Sequence, residues 1–275
     1  MSIAGGMSRA LERARLAGCN AVQVFTRNQM RWSSPPLNDE DVRHFRAASA
    51  GFFSVFAHAS YLINPASPDE SQFQRSVSAL AEELMRCRRL GIGMLVLHPG
   101  SHRGSGEAAG IRRVAEALNR ACELAGTREV RILLETTAGQ GSSLGCRFEQ
   151  LRDMLDCLAA GSCPAGVCVD TCHIFAAGYD LRVRKTYEHT WSLFESCLGF
   201  PCLYAVHLND SKRGLGSRID RHEHIGRGEI GEGAFRLLVR DPRLRQLPMV
   251  LETPKGPDLR EDRENLALLR RLRVG

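Results

Sequence analysis

Residues that can bind metal ions follow short apolar segments throughout the chain. Each segment is rich in valine, isoleucine, leucine or phenylalanine, and a histidine, aspartate or glutamate stands at or near its end. The residues in these positions are His58, His98, Glu135, Asp170, His207 and Glu252. Imidazole and carboxylate ligands together suit zinc, with manganese as the second choice. We therefore predict a metal centre built from residues that are far apart in the sequence.

Three further candidate ligands lie in polar segments after these runs. His173 stands three residues beyond Asp170, and a single arginine separates Asp220 from His222. Residues two apart in an extended segment point to the same side, so Asp220 and His222 can reach one ion. The full set of five histidines, two aspartates and two glutamates exceeds the needs of one tetrahedral ion and would serve two or three ions.

Each of these residues also has a structural interpretation. A polar side chain at a strand end can cap a helix or bond to a backbone carbonyl, and taken singly that is the commoner role. Six apolar segments that end in the same few residue types are harder to explain by packing, because charged groups are rarely buried unless they are paired or metal-bound. We therefore treat the nine residues as one set.

The apolar segments themselves are predicted to be parallel strands. Their apolar residues do not alternate with polar ones, which indicates burial on both faces of a sheet that is covered by helices. The predicted strands are 21–26, 52–58, 93–98, 130–135, 166–170, 204–209 and 248–252. Helical periodicity lies between and around them, most clearly at 9–18, 71–90, 107–125 and 259–272.

This alternation predicts an α/β fold, a TIM-type (β/α)8 barrel, with residues 1–275 forming one domain. The carboxyl ends of the strands in such a barrel meet on one face, which is where its sites are built. A closed barrel needs eight strands, and only seven can be identified. The strand expected before the helix at 9–18 is therefore either truncated or missing, or the true start lies upstream.

Composition narrows the class of protein further. The chain is 43% hydrophobic and 25% charged, lacks an apolar run long enough to cross a membrane and begins without an apolar leader, so we expect a cytoplasmic location. Its ten cysteines include no Cys-x-x-Cys pair, which argues against a zinc cluster or a disulfide framework and for reduced thiols. The net charge of +6 is compatible with a nucleic-acid partner but is weak evidence for one. Arginine, the better phosphate ligand, far outnumbers lysine, and a coding bias toward arginine is the simpler explanation of that excess.

Two glycine motifs could bind phosphate. Residues 226–231 match the dinucleotide fingerprint, but they follow a polar segment where that fingerprint requires an apolar strand, so we reject this interpretation. Gly139 and Gly141 follow the strand that ends at Glu135 and could form either a phosphate-binding turn or a plain loop.

Aromatic, amide and basic side chains follow the first two strands. They suit a bent or flipped nucleotide substrate, although the two aromatic rings could equally cap the core of the barrel. These residues are Asn28, Gln29, Arg31, Trp32 and Tyr61.

Taken together, these segments resemble the endonuclease IV type of apurinic/apyrimidinic (AP) endonuclease, which is AP endonuclease family 2. The resemblance extends over nearly the whole chain. The segments that carry it are 25–29 with Trp32, 58–64, 98–102, 135–141, 170–182, 207–212, 216–218, 220–222, 225–226 and 251–253.

The resemblance implies three zinc ions, with Mn²⁺ as an option in one position. It matches all nine candidate ligands. One ion is expected on His58, His98 and Glu135, a second on Asp170, His207 and Glu252 with Glu135 as a bridge, and a third on His173, Asp220 and His222.

The resemblance also implies an activity in base excision repair of DNA damage. A monomeric hydrolase would cut the phosphodiester 5′ to an abasic site in double-stranded DNA, leaving a 3′-hydroxyl and a 5′-deoxyribose phosphate. Glu135 and Glu252 would be catalytic, with Glu252 orienting or deprotonating the attacking water. Besides the residues after the first two strands, the expected DNA contacts are His102, Lys212, Arg218 and Arg221.

The chain departs from the family pattern at two positions near the site. Many members have arginine where this chain has Met30, and asparagine where it has Thr136. Met30 puts one DNA contact in doubt, and the neighbouring Arg31 is the residue expected to replace it.

Two alternatives come from other functional classes. A metal-dependent sugar isomerase or epimerase on a related barrel would show activity on a keto sugar, but the nine candidate ligands and the presence of only three lysines weigh against it. A damage-binding protein without activity would bind abasic DNA tightly and not cut it.

Overall fold

The structure, a computed structural model, describes residues 1–274. These residues form two compact units. The first unit comprises Met1–Glu135, Ser142–Leu144 and Asp153–Gly166. The second unit comprises Thr136–Gly141, Gly145–Arg152 and the chain from Val167 onward.

Four parallel strands in the first unit pair in chain order. Their apolar residues are buried on both faces, as Val24, Phe56 and Leu133 illustrate with no exposed surface. This pattern is the one that predicted parallel strands from the sequence. The strands are β1 (Ala21–Phe25), β2 (Ser54–His58), β3 (Met94–Leu97) and β4 (Arg131–Glu135).

Helices of the first unit begin and end at residues suited to that role. Before α3, the side chain of Asp69 accepts a hydrogen bond from the backbone N–H of Gln72 at 2.7 Å, and the helix ends at Gly91, whose φ of 73° is left-handed. The four helices are α1 (Met7–Leu16), α2 (Asp39–Ser49), α3 (Glu70–Leu90) and α4 (Glu107–Ala125). In chain order, α5 (Phe148–Asp156) follows β4.

The second unit repeats the alternation of strands and helices. Its parallel strands are β5 (Ala165–Asp170), β6 (Leu203–His207) and β9 (Met249–Val250), and a short antiparallel hairpin joins β7 (Asp210–Ser211) to β8 (His222–Glu223). Its helices are α6 (Thr171–Ala177), α7 (Arg184–Cys197), α8 (Glu232–Arg240) and α9 (Arg260–Val274). None of the described helices is both long and apolar enough to cross a membrane.

The seven predicted strands correspond to the seven parallel strands of the two units, β1–β6 and β9. Four strands, β1, β3, β6 and β9, end one or two residues before the predicted position. His98 and Glu252 follow their strands rather than ending them. At His98 the reason is its successor Pro99, which has no N–H to continue a ladder. Residues 1–6 contain no strand, and the first helix begins directly after them.

Candidate metal centre

The first group of candidate ligands lies at the carboxyl ends of β2, β3 and β4. The Nε2 atoms of His58 and His98 each lie 3.1 Å from Oε2 of Glu135. Glu135 is fully buried, whereas the side chain of His98 is 33% exposed. Parallel pairing brings the three strand ends side by side, which explains how residues so distant in sequence meet.

The second group lies at the ends of β5, β6 and β9. Nδ1 of His207 is 3.2 Å from Oε2 of Glu252 and 3.8 Å from Oδ2 of Asp170. Strand register accounts for this meeting, because Asp170 pairs with His207 and His207 pairs with Val250, two residues before Glu252. Asp170 and His207 are fully buried, and the Glu252 side chain is 20% exposed.

The third group combines a helix with the hairpin. Asp170 caps α6 by accepting the backbone N–H of His173 at 3.0 Å, which fixes His173 in the first turn. Nε2 of His173 lies 3.1 Å from Oδ2 of Asp220, and Nε2 of His222 lies 3.3 Å from Oδ1 of the same carboxylate. Pairing of β7 with β8 holds His222 opposite Ser211.

Three of the histidines are oriented by backbone carbonyl oxygens. Nδ1 of His58 lies 2.7 Å from the oxygen of Ala59, and Nδ1 of His173 lies 2.7 Å from that of Thr136. Nδ1 of His222 lies 3.2 Å from the carbonyl oxygen of Glu252. A carbonyl oxygen can only accept, so Nδ1 carries the proton and Nε2 points at the carboxylates. Histidines that ligate metals are held in this way.

These groups fit divalent metal ions. Bonds of about 2.0–2.2 Å in a tetrahedron place neighbouring ligand atoms about 3.3–3.6 Å apart, close to the 3.1 and 3.3 Å found here. A divalent cation between these atoms would bind the Nε2 lone pair of His58 and balance the charge of the buried Glu135. The buried Nε2 of His222 forms no hydrogen bond within the described residues, which is consistent with a metal ligand.

Cys172 lies close enough to Asp170 and His222 to form a different group. Burial raises the pKa of its thiol to about 12, and Sγ donates to the carbonyl oxygen of Arg221 at 3.7 Å. The imidazole and carboxylate groups therefore remain the candidate ligand sets.

Asn209 holds two ligands of the second group in place. It was not predicted as a site residue, although it lies within segment 207–212, which carries part of the resemblance. Its Nδ2 donates to Oδ2 of Asp170 at 2.6 Å, and its Oδ1 accepts the backbone N–H of Glu252 at 2.8 Å. One buried amide therefore sets the positions of two candidate ligands.

We expect Asn209→Ala to lower metal affinity or activity about 10–100-fold, the usual cost of losing a group that holds a ligand in place. Metal content and incision rate measure the effect. Gln150→Ala is the matched control, because Gln150 is also a buried amide but its oxygen binds backbone N–H groups of residues 145–147. Equal losses in both variants would argue against a specific role for Asn209.

The predicted DNA-contact residues after β1 lie on a loop held by a buried ion pair. Nε of Arg27 lies 2.8 Å from Oε1 of Glu83, both side chains are 1% exposed, and Arg27 also donates to the carbonyl oxygen of Trp32 at 2.9 Å. Asn28 and Arg31 are exposed. Gln29 presents its carbonyl oxygen to Ser60, and Trp32 stacks beneath Arg75 at 4.4 Å from the ring centre.

Glu83→Gln should lower the free energy of unfolding by about 3–5 kcal/mol, because it removes the buried charge partner of Arg27 and leaves only the partly exposed Glu82, 3.0 Å from Nη1. We also expect KM for DNA to rise more than kcat falls, since the loop carries expected contacts and no candidate ligand. Chemical denaturation and steady-state kinetics measure the two effects. The control is Glu82→Gln, which removes the other ion-pair partner of Arg27. That carboxylate is 34% exposed, so its loss should cost no more than about 1 kcal/mol.

The remaining predicted DNA contacts are placed differently from one another. Tyr61 is 55% exposed, and its ring packs within 5.4 Å of the His58 ring and 6.1 Å of the His98 ring. His102 instead accepts the backbone N–H of Gly106 and so organises its own loop, whereas its neighbour Arg103 lines the cleft beside Tyr61. In the second unit, Lys212, Arg218 and Arg221 are exposed on the loop that leads to His222.

The glycine-rich loop at 226–231 binds a carboxylate of the protein itself. Backbone N–H groups of Gly226, Gly228, Ile230 and Gly231 donate to the side chain of Asp210 at 3.0–3.3 Å. This contact gives the motif a structural role.

Gly139, in the other glycine motif, also has a packing role, since a Cβ there would lie 2.8 Å from Cβ of Cys146.

Comparisons with known proteins agree with the geometry. The family described as xylose isomerase-like TIM barrel matches residues 11–272. A probable endonuclease 4 of Chloroflexus aggregans is 49% identical over 99% of this chain and 96% of its own length. The structure of endonuclease IV from Thermus thermophilus matches with a TM-score of 0.87 and 38% identity, over 99% of this chain and 96% of that one.

A D-tagatose 3-epimerase-like protein matches with a TM-score of 0.68 over 92% of this chain and 89% of its own, but at 17% identity, so the likeness concerns the fold alone. The fold prediction of a TIM-type barrel is confirmed, and so is the resemblance to endonuclease IV. On its full-length similarity to these relatives, the chain belongs to the endonuclease IV family of TIM-barrel AP endonucleases.

Proposed function

We propose that this enzyme is a zinc-dependent DNA-repair endonuclease that hydrolyses the phosphodiester 5′ to abasic sites. The products would be a 3′-hydroxyl and a 5′-deoxyribose phosphate. The observation that carries this proposal is the convergence of imidazole Nε2 atoms and carboxylate oxygens at 3.1–3.3 Å. Endonuclease 4 relatives of nearly the same length support it.

We propose three zinc ions, with Mn²⁺ as an option in one position. Ions of this kind lower the pKa of a bound water and neutralise charge on a phosphate. The first group would bind one ion through His58, His98 and Glu135, and the third would bind another through His173, Asp220 and His222. Asp170, His207 and Glu252 would bind the remaining ion.

Glu252 is the residue we propose to act on the attacking water. It combines a carboxylate near His207 with a side chain that is 20% exposed, so water can reach it. Its backbone is fixed by Asn209, which leaves the carboxylate in a defined position. From there it can orient a water molecule or accept its proton, a contribution typically of about 10²–10⁴-fold.

Selectivity for abasic sites would come from deformation of the DNA. A nucleotide without a base has no stacking to lose and is the easiest nucleotide to extrude from a duplex. Tyr61 and Met30 are exposed by 55% and 67%, and an exposed ring or thioether chain could occupy the space that the missing base leaves. The exposed Arg31 would contact the phosphate backbone.

The partner of the enzyme would be double-stranded DNA, on which it would act as a monomer. Residues 1–275 would form a single barrel domain, and the family match over residues 11–272 supports this view. We propose a cytoplasmic location, together with the DNA substrate.

Incision of a labelled duplex with one tetrahydrofuran abasic analogue tests the proposal. The analogue cannot undergo β-elimination, so a lyase cannot imitate hydrolysis. Zinc-replete protein should make a single cut 5′ to the lesion, and Glu252→Gln should reduce the rate about 10²–10⁴-fold. Glu264→Gln, a change on α9 at a side chain that is 43% exposed, should leave the rate unchanged.

Two outcomes would contradict the proposal. If folded, metal-loaded protein binds this duplex and does not cut it, the protein is a damage-binding protein. If it converts a keto sugar and leaves the duplex intact, the epimerases with the same fold become the better comparison.

A further inference from the structure

Two cysteine sulfurs of the first unit lie in contact, well away from the first metal group. Sγ of Cys122, in the last turn of α4, is 2.8 Å from Sγ of Cys163. Pro164, next to Cys163, accepts the backbone N–H of Ile132 at 2.9 Å, which places the pair beside the start of β4. Glu135 lies three residues further along that strand than Ile132, a rise of about 10 Å at about 3.3 Å per residue.

The surroundings of the pair favour reaction of one thiol in particular. The hydrogen bond shared with Cys163 lowers the pKa of Cys122, burial raises it, and the positive charge of Arg128 lowers it again, with a net decrease. The same hydrogen bond raises the pKa of Cys163. A thiolate is the reactive form of cysteine, so Cys122 is the nucleophile of the pair and Cys163 is its partner.

Small molecules can reach the pair. Cys122 forms part of the wall of a cleft of about 620 Å³, together with Thr127, Arg128 and Ser162. The sulfur of Cys122 is therefore buried by its neighbours but adjacent to solvent-filled space, and Cys163 is half-buried. A hydroperoxide is small enough to enter a cleft of this volume.

We propose that Cys122 and Cys163 form a reversible disulfide when the protein meets a hydroperoxide. The Cys122 thiolate attacks one peroxide oxygen and breaks the O–O bond; with hydrogen peroxide, a proton completes the released water and a sulfenic acid remains on Cys122. The Cys163 sulfur then attacks the sulfenic sulfur, the S–O bond breaks, and a second water leaves with the thiol proton. Both thiols are oxidised by one electron each, and the peroxide is reduced by two.

The disulfide would stabilise the fold and leave the catalytic activity intact. It would close a loop of 41 residues that includes β4, and a loop of this size restricts the unfolded chain strongly. We expect Tm to rise by roughly 5–10 °C on oxidation. The incision rate should stay within about twofold, because the base of a barrel contributes stability and not chemistry.

The experiment treats full-length, zinc-loaded protein with hydrogen peroxide, blocks the remaining thiols and maps its peptides by mass spectrometry. A peptide pair linked through Cys122 and Cys163, two hydrogens lighter than the separate thiols and cleaved by dithiothreitol, is the expected result. Cys163→Ser should instead leave a sulfenic acid on Cys122 that dimedone traps. Cys157→Ser, a change at an exposed cysteine six residues from Cys163, should still form the link.

The wild-type protein alone can overturn the proposal, so the test does not depend on a variant that folds. If peroxide oxidises other cysteines while Cys122 and Cys163 remain blockable thiols, the pair is not a disulfide site. A link that forms without raising Tm would overturn the stabilising role.

Discussion

Replacing Glu135 by glutamine should reduce incision of abasic DNA by at least about 10⁴-fold, beyond the usual upper range for the loss of a general acid or base. The carboxylate is fully buried and lies 3.1 Å from the Nε2 atoms of both His58 and His98. Glutamine has nearly the same shape but no charge, so it cannot balance a divalent ion between these atoms. The loss should therefore include metal binding as well as catalysis.

Metal analysis and incision kinetics on the same preparation measure this effect. The matched control is Glu129→Gln, which changes a glutamate two residues before β4 whose side chain is 68% exposed. The control should keep both its metal and its rate. A Glu135→Gln protein that retains full metal content and cuts within tenfold of the wild-type rate would contradict the assignment of Glu135 as a ligand.

The metal count of the Glu135→Gln protein also tests the bridging role that the resemblance implies for Glu135. That role stays a prediction. Loss of one ion would indicate a ligand to the first group alone, whereas loss of two would indicate a carboxylate shared between ions. Removing a carboxylate that bridges two ions weakens the binding of both, whereas removing an ordinary ligand weakens the binding of one.

The elements that hold the candidate ligands were predictable because burial on both faces leaves a simple pattern in the sequence. β2 and β4 end at His58 and Glu135, as the apolar runs predicted. α4 (Glu107–Ala125) has the predicted bounds, because Gly106 precedes it and the left-handed Gly126 ends it. In such cases the residue type that the local structure favours is also the one that its position in the fold requires.

Other features depend on partners that no local pattern reveals. β7 and β8 have two residues each, too few for periodicity, yet they fix His222 opposite Ser211. The loop after β1 depends on Glu83, which is 56 residues from Arg27. His102 lies in segment 98–102, which carries part of the resemblance, yet its side chain faces Gly106. The type of a residue does not determine where its side chain points.

Chelation should abolish incision and lower Tm by roughly 5–15 °C, and zinc should restore both. An ion that binds only the folded state at about 1,000 times its Kd contributes about 4 kcal/mol, and about 2–4 °C accompanies each kcal/mol in a domain of 150–250 residues. In its absence, the fully buried carboxylates of Glu135 and Asp170 remain beside imidazole nitrogens with no cation to balance them. Their desolvation then opposes folding.

Thermal unfolding before chelation, after it and after addition of Zn²⁺, Mn²⁺ or Mg²⁺ measures the effect. Zinc should restore incision, manganese should do so only together with zinc because one position is expected to accept it, and magnesium should not, since it prefers oxygen ligands. Glu135→Gln serves as the internal control, because a protein that has already lost an ion should show a smaller drop in Tm. An equal drop in both proteins would mean that chelation acts on a group other than the first. Full incision activity after complete removal of metal would show that the converging histidines and carboxylates work through protons alone.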